Sequence, residues 1–359
     1  MENSSTSDNR RVVRVGNRKI GGKNPVSVQT MTNTDTKDIE STTKQIKQMV
    51  SAGAEIVRLS LYDLECVDAF RLIRERFPGI PFVGDIHYDH RIAIEAVQKG
   101  IDKIRLNPGN IESESKIRDV VSACRERGIP IRVGANSGSI NKRFKSLEAS
   151  DALVESALEQ VRILEKNGFE DIVIAVKSSD VRQTIRAYQS IYAKVLYPLH
   201  LGVTEAGPLE SSLIKSSVAM GLLLINGIGD TIRYSITGDP VQEVNAGIEL
   251  LIAIGEREGV QIVSCPTCAR TTIDMNDYVE RVRSITSGIR VPLKIAIMGC
   301  VVNGVGEGEN ADIGIAGTKN GGAVFIDGRI MGRYSKDELF PRFEAFLLKK
   351  IQQKKEERT

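Results

Sequence analysis

Three cysteines in the last third of the sequence have the spacing of metal ligands. Cys265 and Cys268 stand in the stretch SCPTCARTT, and Cys300 stands in IMGCVVNGVGEGE. This C-x2-C-x31-C pattern leaves a four-coordinate site one ligand short. Zinc would usually be completed by Cys or His, but the three histidines of the chain lie at or before residue 200. An iron–sulfur cluster needs thiolates yet can keep one iron for a different ligand, so the pattern favours a cluster over zinc.

Two carboxylates are candidates for the missing ligand. Glu307 and Glu309 follow Cys300 in a loop whose glycines let the backbone curl close to a cluster. A carboxylate is a hard, exchangeable ligand for iron. The residue types alone leave both glutamates open, and either can instead be a solvated loop charge. The other two cysteines, Cys66 and Cys124, lie on apolar helix stripes and are interpreted as small core residues.

A second group of residues points to an anionic ligand. In KIRLNPG and PIRVGAN, apolar and polar residues alternate, so a cation and an asparagine face away from the apolar side. Buried cations without a counter-charge are costly, and arginine forks suit phosphate oxygens. The alternative is that each cation pairs with a carboxylate such as Asp85 or Glu205. The cations at or near strand ends are Arg58, Arg105, Arg132, Lys177 and Arg233, and the neutral polar residues that accompany them are Asn107, Asn136 and Ser235.

Glu205 and the histidines complete the candidate residues. Glu205, in GVTEAG, is interpreted as a general acid or base among these cations, or as their ion-pair partner. His87 ends a predicted strand and could line the same mouth. His90 is expected to begin the following helix, and His200 to pack at the bottom of the fold.

The elements that must position these residues form a repeating pattern. Eight short runs rich in Val and Ile, from PVSVQTM to TIRYSIT, alternate with amphipathic stretches such as the stripe Ile117, Val120, Val121 and Cys124. Most runs are about 25 to 30 residues apart, the length of one βα unit. A doubly wound open sheet gives the same alternation, but even units and no G-x-G-x-x-G after the first strand favour closure. The sequence therefore predicts an α/β (β/α)8 TIM barrel.

The rhythm ends near residue 258, which predicts a second domain. KIAIMGC, ADIGIAG and GAVFIDGRIMG are interpreted as strands, and DMNDYVERVRSI and the stretch from Lys336 as helices. We therefore expect a disordered N-terminus at 1–10, a substrate-binding TIM barrel at 11–257 and a smaller α+β cluster domain at 258–359. The charged tail KKIQQKKEERT is expected to be loosely ordered.

Composition excludes several classes of protein. The net charge of +3 and the absence of Trp argue against a general nucleic-acid binder. No apolar run is long enough to span a membrane, and the polar N-terminal stretch lacks the core of a signal peptide. Five cysteines, an odd number, argue against a disulfide framework. We expect a soluble, cytoplasmic protein.

The motifs taken together resemble those of a known enzyme family. SCPTCART, MGCVVNGVGEGE, VQTMTNTDT, KIRLNPGN, RVGANSGS and GVTEAG are similar to the 4-hydroxy-3-methylbut-2-enyl diphosphate synthases, over about residues 10 to 345. The resemblance implies a [4Fe–4S] cluster held by Cys265, Cys268, Cys300 and Glu307. It also implies the reductive ring opening and dehydration of 2-C-methyl-D-erythritol 2,4-cyclodiphosphate to (E)-4-hydroxy-3-methylbut-2-enyl diphosphate, in non-mevalonate isoprenoid biosynthesis.

The resemblance also implies the partners, and the residues themselves indicate the binding and acid–base roles. Ferredoxin or flavodoxin would deliver two electrons one at a time, and two chains would form a head-to-tail homodimer. Glu205 would act as acid or base, while the five cations with Asn107, Asn136, Ser235 and His87 would bind the diphosphate. The alternatives are a pterin-type barrel synthase with a structural metal and a non-enzymatic iron–sulfur redox sensor. A sensor has no evident use for five cations at a barrel mouth.

Overall fold

The computed structural model describes residues 10–111, 113–140, 142–144, 146–302, 306 and 310–357. The chain forms two compact units, Met1–Ile254 and Gly255–Thr359. In the described part of the chain, no helix is long and apolar enough to cross a membrane.

The first unit is a parallel barrel, as the sequence predicts. Neighbouring strands pair in parallel in chain order, and the last strand pairs back with the first. A bridge between Ile174 and Leu199 joins the remaining two neighbours, so the sheet closes. The (β/α)8 prediction is therefore confirmed. The barrel strands are β3 (Ser27–Met31), β4 (Ile56–Ser60), β5 (Phe82–Asp85), β6 (Lys103–Arg105), β7 (Ile131–Asn136), β8 (Ile172–Lys177), β9 (His200–Leu201) and β10 (Thr231–Ile232).

The segments after the strands form helices because capping residues and a helical spacing of apolar residues occur together in them. Asp38 caps the first helix by accepting from Ser41 N, and Gly53 ends it in the left-handed conformation. The predicted stripe from Ile117 to Cys124 is buried. Cys66 and Cys124 are core residues, as interpreted from the sequence. The helices of this unit are α1 (Ile39–Ala52), α2 (Leu64–Arg76), α3 (His90–Gln98), α4 (Glu114–Arg127), α5 (Ala149–Lys166), α6 (Val181–Lys194), α7 (Leu209–Ile225) and α8 (Pro240–Ala253).

An N-terminal hairpin, not predicted from the sequence, precedes the barrel. Its strands β1 (Val13–Val15) and β2 (Arg18–Ile20) are antiparallel. Val15 and Ile20 pack on the residues that begin β4 and continue β5, which buries the apolar side of the hairpin. Residues 1–9 of the predicted disordered segment lie outside the described part. Arg10 does not fit that prediction, because its guanidinium is buried and donates to the carbonyl oxygen of Tyr197.

Polar side chains occupy the barrel interior where branched apolar residues are usual. Lys103 is fully buried on β6, and its amine donates to Gln29 Oε1 at 3.3 Å. His200 is buried on β9, with Nδ1 2.7 Å from Thr231 Oγ1, consistent with the packing role expected for it. The barrel thus carries a polar layer within its own core.

The second unit is an α+β domain built on a mixed sheet. The strand order follows the chain, with the first three strands parallel and the last two antiparallel. One face is covered by the two helices, whose core includes Val282, Phe340 and Phe343. The elements are β11 (Val260–Ser264), β12 (Leu293–Met298), β13 (Ile313–Thr318), β14 (Gly321–Ile326), β15 (Arg329–Ser335), α9 (Met275–Thr286) and α10 (Lys336–Glu356).

Three details of this domain differ from the sequence prediction. The segment GAVFIDGRIMG contains two strands, because Asp327 and Gly328 have positive φ and form a tight hairpin turn. β11 was not predicted. Within the described residues the tail is not loosely ordered: α10 continues to Glu356, since Leu347 and Ile351 pack on the domain core and Lys350 pairs with Asp327.

Candidate active site

Six of the predicted binding residues surround one cavity at the C-terminal end of the barrel strands. Arg105, Asn136 and Lys177 are the last residues of their strands, and Arg233 directly follows β10. The cavity has a volume of about 150 Å³. This is the end at which TIM barrels place their active sites. Its walls are formed by Met31, Arg58, Arg105, Arg132, Val133, Gly134, Asn136, Ala175, Lys177, Val203, Thr204 and Arg233.

Asp85 pairs with two of the cations. Its Oδ2 lies 2.6 Å from Arg58 Nη2, and its Oδ1 lies 3.5 Å from Arg105 Nη1. Burial raises the pKa of Asp85, but Arg58, His87 and Arg105 outweigh burial and hold the pKa well below its ordinary value. Asp85 is thus an anion that fixes the two guanidinium groups. For these two cations, the carboxylate pairing considered from the sequence occurs.

Glu243 on α8 holds a third cation. It accepts from Arg233 Nε at 3.2 Å and from Arg233 Nη2 at 3.0 Å. Thr30 Oγ1 and the backbone N–H of Ile236 donate to the same carboxylate at 2.9 and 3.2 Å. The Glu243 side chain is only 2% exposed, so a fully satisfied buried carboxylate orients the Arg233 fork. Sequence reasoning missed Glu243, because nothing marks an inward-facing acid on an otherwise ordinary helix.

Arg132 and Lys177 differ from the other three cations. They are 5% and 8% exposed, and no carboxylate among the described residues lies within ion-pair distance of either. Burial, with Arg58 and Arg105 nearby, holds the pKa of Arg132 well below its ordinary value. Burial, with Arg132 and Arg233 nearby, does the same to Lys177. Two buried cations at a cavity wall are stabilised best by an anion that enters the cavity.

A glycine leaves space for the lysine amine. A Cβ at Gly202 would lie 2.6 Å from Lys177 Nζ. Any side chain at this position would therefore displace the amine from the cavity wall. The absence of a side chain at Gly202, the residue that follows β9, therefore provides the space that the Lys177 amine occupies.

The remaining predicted residues of the barrel lie outside the cavity walls. Asn107 caps a 3-10 turn by accepting from Gly109 N and donating to Asn110. Ser235 accepts through its carbonyl from Ser212 Oγ. His87 is exposed beside the Asp85 pair, with Nε2 3.3 Å from Asp85 Oδ2. Glu205 is exposed, with φ of 51°, an uncommon left-handed backbone conformation for a residue other than glycine.

The three cysteines of the second unit lie at one edge of its sheet. Cys265 follows β11 and Cys300 follows β12, and these strands are parallel neighbours. The loop after β11 is bonded to the loop after β12, because Thr272 donates from both N and Oγ1 to Gly299 O at 2.9 and 3.0 Å. Gly299 N in turn donates to Cys265 Sγ at 3.1 Å. The topology therefore brings together the two loops that carry the three thiols.

The chemistry of these thiols suits a thiolate-ligated cluster. A hydrogen bond from the backbone of Arg270 lowers the pKa of the exposed Cys268 thiol, which favours the thiolate. Cysteine sulfurs that ligate iron–sulfur clusters usually accept backbone N–H donors, and Cys265 Sγ accepts one from Gly299. Among the residues that the structure describes, no three His, Cys, Asp or Glu side chains are close enough to hold a metal ion. Glu307 and Glu309 lie outside the described residues.

Lys103 is a further residue of the barrel interior that sequence reasoning missed. It stands two positions before Arg105 on β6 and is 0% exposed. The period-two alternation that placed Arg105 inward also places Lys103 inward. The same sequence pattern therefore indicates an inward-facing Lys103.

Family comparisons agree with this architecture in both units. The GcpE TIM-barrel domain matches residues 10–248, and the GcpE protein C-terminal domain matches residues 261–349. Dihydropteroate synthases from Yersinia pestis and Stenotrophomonas maltophilia are similar to the chain in fold, each with a TM-score of 0.51. They are 13% and 14% identical, and cover 68% and 67% of this chain and 97% and 96% of theirs. At this identity the likeness shows the barrel fold alone.

Three curated relatives are much more similar in sequence. All are named 4-hydroxy-3-methylbut-2-en-1-yl diphosphate synthase (flavodoxin). The Thermotoga maritima protein is 52% identical over 94% of this chain and 97% of its own length. Those of Caldanaerobacter subterraneus and Clostridium perfringens are each 50% identical, over 95% and 92% of this chain and 96% and 95% of their own. Because both domain models and near-full-length relatives agree, the chain belongs to the GcpE family.

Proposed function

We propose that this chain is a 4-hydroxy-3-methylbut-2-en-1-yl diphosphate synthase that takes its electrons from flavodoxin. Its substrate would be 2-C-methyl-D-erythritol 2,4-cyclodiphosphate, and ring opening with loss of water would give (E)-4-hydroxy-3-methylbut-2-enyl diphosphate. The reaction balances with two electrons and two protons per substrate. The observation that carries the proposal is the cationic cavity of a barrel whose near-full-length relatives bear this name.

The cations of the cavity would bind the diphosphate in two ways. Arg58, Arg105 and Arg233 are oriented by Asp85 and Glu243, so their forks are fixed before the ligand arrives. Arg132 and Lys177 have no carboxylate partner among the described residues, so the phosphate oxygens would be the counter-charge of their cationic forms. The first group would set orientation and the second would supply affinity.

Neutral residues would complete the binding site. Asn136 lines the cavity and would donate a hydrogen bond to a phosphate or hydroxyl oxygen. We propose the same for Asn107, Ser235 and His87, which stand close to the same strand ends. His87 is placed best of these three, because Arg105 Nη1 lies 2.9 Å from its Nδ1.

Glu205 would supply the proton that the departing hydroxyl needs. It stands four residues after β9, on the strand-end side of the barrel, and is exposed to solvent. A carboxyl group at such a loop position can donate a proton and be reprotonated from water.

The second unit would hold the cofactor. Cys265, Cys268 and Cys300 would ligate a [4Fe–4S] cluster, and Glu307 would be the fourth ligand in preference to Glu309. When bound, such a cluster supplies electrons to the substrate one at a time. The protein's part is to present thiolates from two adjoining strand ends and to donate Gly299 N–H to a ligand sulfur. We therefore assign diphosphate binding to 11–257 and the cluster to 258–359.

We further propose that the enzyme is a head-to-tail homodimer. Supporting self-association, α7 is apolar on more than its core-facing side. Ile214, Val218, Leu222 and Ile225 follow one another along its exposed surface. A helix that is apolar all round is usually covered on both faces.

The test uses the full chain purified without oxygen. Iron, zinc and acid-labile sulfide are measured, and the protein is then supplied with reductant and the cyclodiphosphate. We expect iron and sulfide in equal amounts, close to four of each per chain, and formation of the linear diphosphate. One zinc with no sulfide, or a loaded cluster with no product, would contradict the proposal.

A further inference from the structure

Lys103 is a fully buried lysine to which the proposed reaction gives no role. It is 0% exposed, at the first position of β6, and its amine donates to the side-chain oxygen of Gln29 at 3.3 Å. Gln29 itself is 1% exposed on β3, so this partner is neutral and equally removed from water. A lone amide oxygen offers little compensation for a buried ammonium charge.

The charged and titratable groups around Lys103 come from three other strands. Arg132 of β7 and Arg58 of β4 act on Lys103 as like charges. His200 of β9 is a third neighbour, and burial holds the pKa of its imidazole well below the ordinary value. No described carboxylate pairs with Lys103. Burial first, and then Arg132 and Arg58, lower the pKa of Lys103 to about 7.

We propose that Lys103 lies beneath the diphosphate site as a neutral amine in the free protein, and that it is protonated from solvent when the cyclodiphosphate binds. The inference rests on the proposed function, because it requires that anion in the cavity. The phosphates would offset the charge of Arg132 and Arg58, the two guanidinium groups that disfavour the ammonium form of Lys103. One proton then passes from solvent to Lys103 Nζ, and no bond in the ligand changes.

The proposed substrate is well suited to reveal this proton. Each phosphorus of a cyclic diphosphate carries a single, strongly acidic proton, so the ligand does not titrate near neutral pH. Any proton taken up on binding therefore goes to the protein. Ring opening would create a terminal phosphate with a further ionisable oxygen, so a protonated Lys103 would also balance the greater charge of the product.

Isothermal titration measures the uptake directly. The cluster-loaded full chain, without reductant, is titrated with the cyclodiphosphate in Tris and in HEPES, whose ionisation enthalpies differ. From a free-state pKa of about 7, Lys103 should contribute about 0.9 proton at pH 8 and about 0.1 at pH 6. The dissociation constant should correspondingly rise about tenfold per pH unit above pH 7 through this residue. No uptake by the wild-type protein at pH 8 would overturn the proposal.

Two variants assign the proton to Lys103. Lys103→Met should lose the share of about 0.9 proton that Lys103 contributes at pH 8, while any share from Lys177, whose pKa burial also lowers, remains. Lys103→Arg, whose charge is permanent, should also lose it yet keep tight binding at pH 8. Lys350→Met is the matched control, since Lys350 is another buried lysine but pairs with Asp327 at 2.8 Å; it should keep the wild-type uptake. Undiminished uptake in folded Lys103→Met would overturn the assignment.

The experiment also separates this inference from the function on which it rests. Binding without proton uptake removes the role of Lys103 and leaves the enzyme assignment intact. If the loaded protein neither binds nor reduces the cyclodiphosphate, the proposed function fails and this inference fails with it. Should Lys103→Met not fold, the wild-type pH series and Lys103→Arg still give the answer.

Discussion

Replacing Arg132 and Arg233 separately by methionine should distinguish the two kinds of cation in the cavity. Arg233 is bonded to Glu243, whose side chain is 2% exposed, so Arg233→Met leaves a buried carboxylate without its cation. Breaking a fully buried pair costs about 3–5 kcal/mol. Because Arg233 is 22% exposed and Glu243 keeps Thr30 and Ile236 as donors, we expect about 2–3 kcal/mol.

Arg132→Met should have the opposite effect on the free protein. Arg132 has no carboxylate partner among the described residues and lies near two other guanidinium groups. Removing it eliminates a buried charge and its repulsion, so stability should stay unchanged or increase. The melting temperature should fall by about 4–12 °C for Arg233→Met and should not fall for Arg132→Met.

Both variants should nevertheless bind the cyclodiphosphate more weakly. A lost charge-assisted contact to phosphate costs about 1.5–3 kcal/mol, or about 10-fold to 150-fold in the dissociation constant. Calorimetric melting of the ligand-free chain gives stability, and isothermal titration gives affinity. If Arg132→Met destabilises the protein as much as Arg233→Met, or binds with wild-type affinity, the distinction between oriented and unpartnered cations is wrong.

Three further predictions concern the cluster, the acid and pH. Serine at Cys265, Cys268 or Cys300 should abolish most iron and sulfide binding. Glu307→Ala should keep some cluster but lose most turnover. A larger effect of Glu309→Ala than of Glu307→Ala on the cluster spectrum would make Glu309, not Glu307, the fourth ligand. Glu205→Gln should lower kcat by 100-fold or more with little change in substrate affinity, since it removes a proton donor and no phosphate contact; a weaker affinity with unchanged kcat would contradict this role. Because the pKa of Lys103 is lowered to about 7, the unfolded chain binds more protons above pH 7, so free-protein stability should rise by about 2 kcal/mol between pH 7 and 9 relative to Lys103→Met. Parallel denaturation curves of the two proteins across this pH range would refute it.

The barrel strands could be predicted because their local and global signals agree. Each of the eight apolar runs is followed by a helix, and a side chain caps all of these helices except α7, which begins after Pro208. Buried parallel strands read as continuous Val and Ile runs. The N-terminal hairpin had no such signal. Its strands are only three residues long, and their apolar residues are defined by packing on β4 and β5 rather than by a pattern of their own.

The C-terminal tail failed as a prediction for a related reason. Its composition is charged, which is typical of a solvated end, but Leu347 and Ile351 recur at helical spacing and bury against the domain core. Lys350 lies between them and is buried with Asp327 as its partner. The charged composition of the tail reflects the exposed face of α10, whereas the few apolar residues that form its buried face contribute little to that composition.

The cations of the candidate site could be predicted from the sequence, whereas only one of their two carboxylate partners could. Alternation within a strand determines which side chains point inward, so Arg105 and Arg132 could be placed from the sequence. Which carboxylate each would meet depends on strand neighbours and on α8, which are distant in sequence. Asp85 was considered as a partner and does bind Arg58, whereas Glu205 was considered and Glu243 fills that role instead.

The distribution of carboxylates in the cavity has a consequence for recognition. Asp85 and Glu243 fix three arginine forks, so these donors need little reorganisation when a phosphate arrives. Had Arg132 and Lys177 also been paired, the cavity would be nearly neutral and a dianion would gain little by entering. Two carboxylates among five cations therefore fix the directions of the donors and still leave about three positive charges uncompensated. A site for a cyclic diphosphate requires both: fixed directions for its oxygens and uncompensated positive charge for its phosphates.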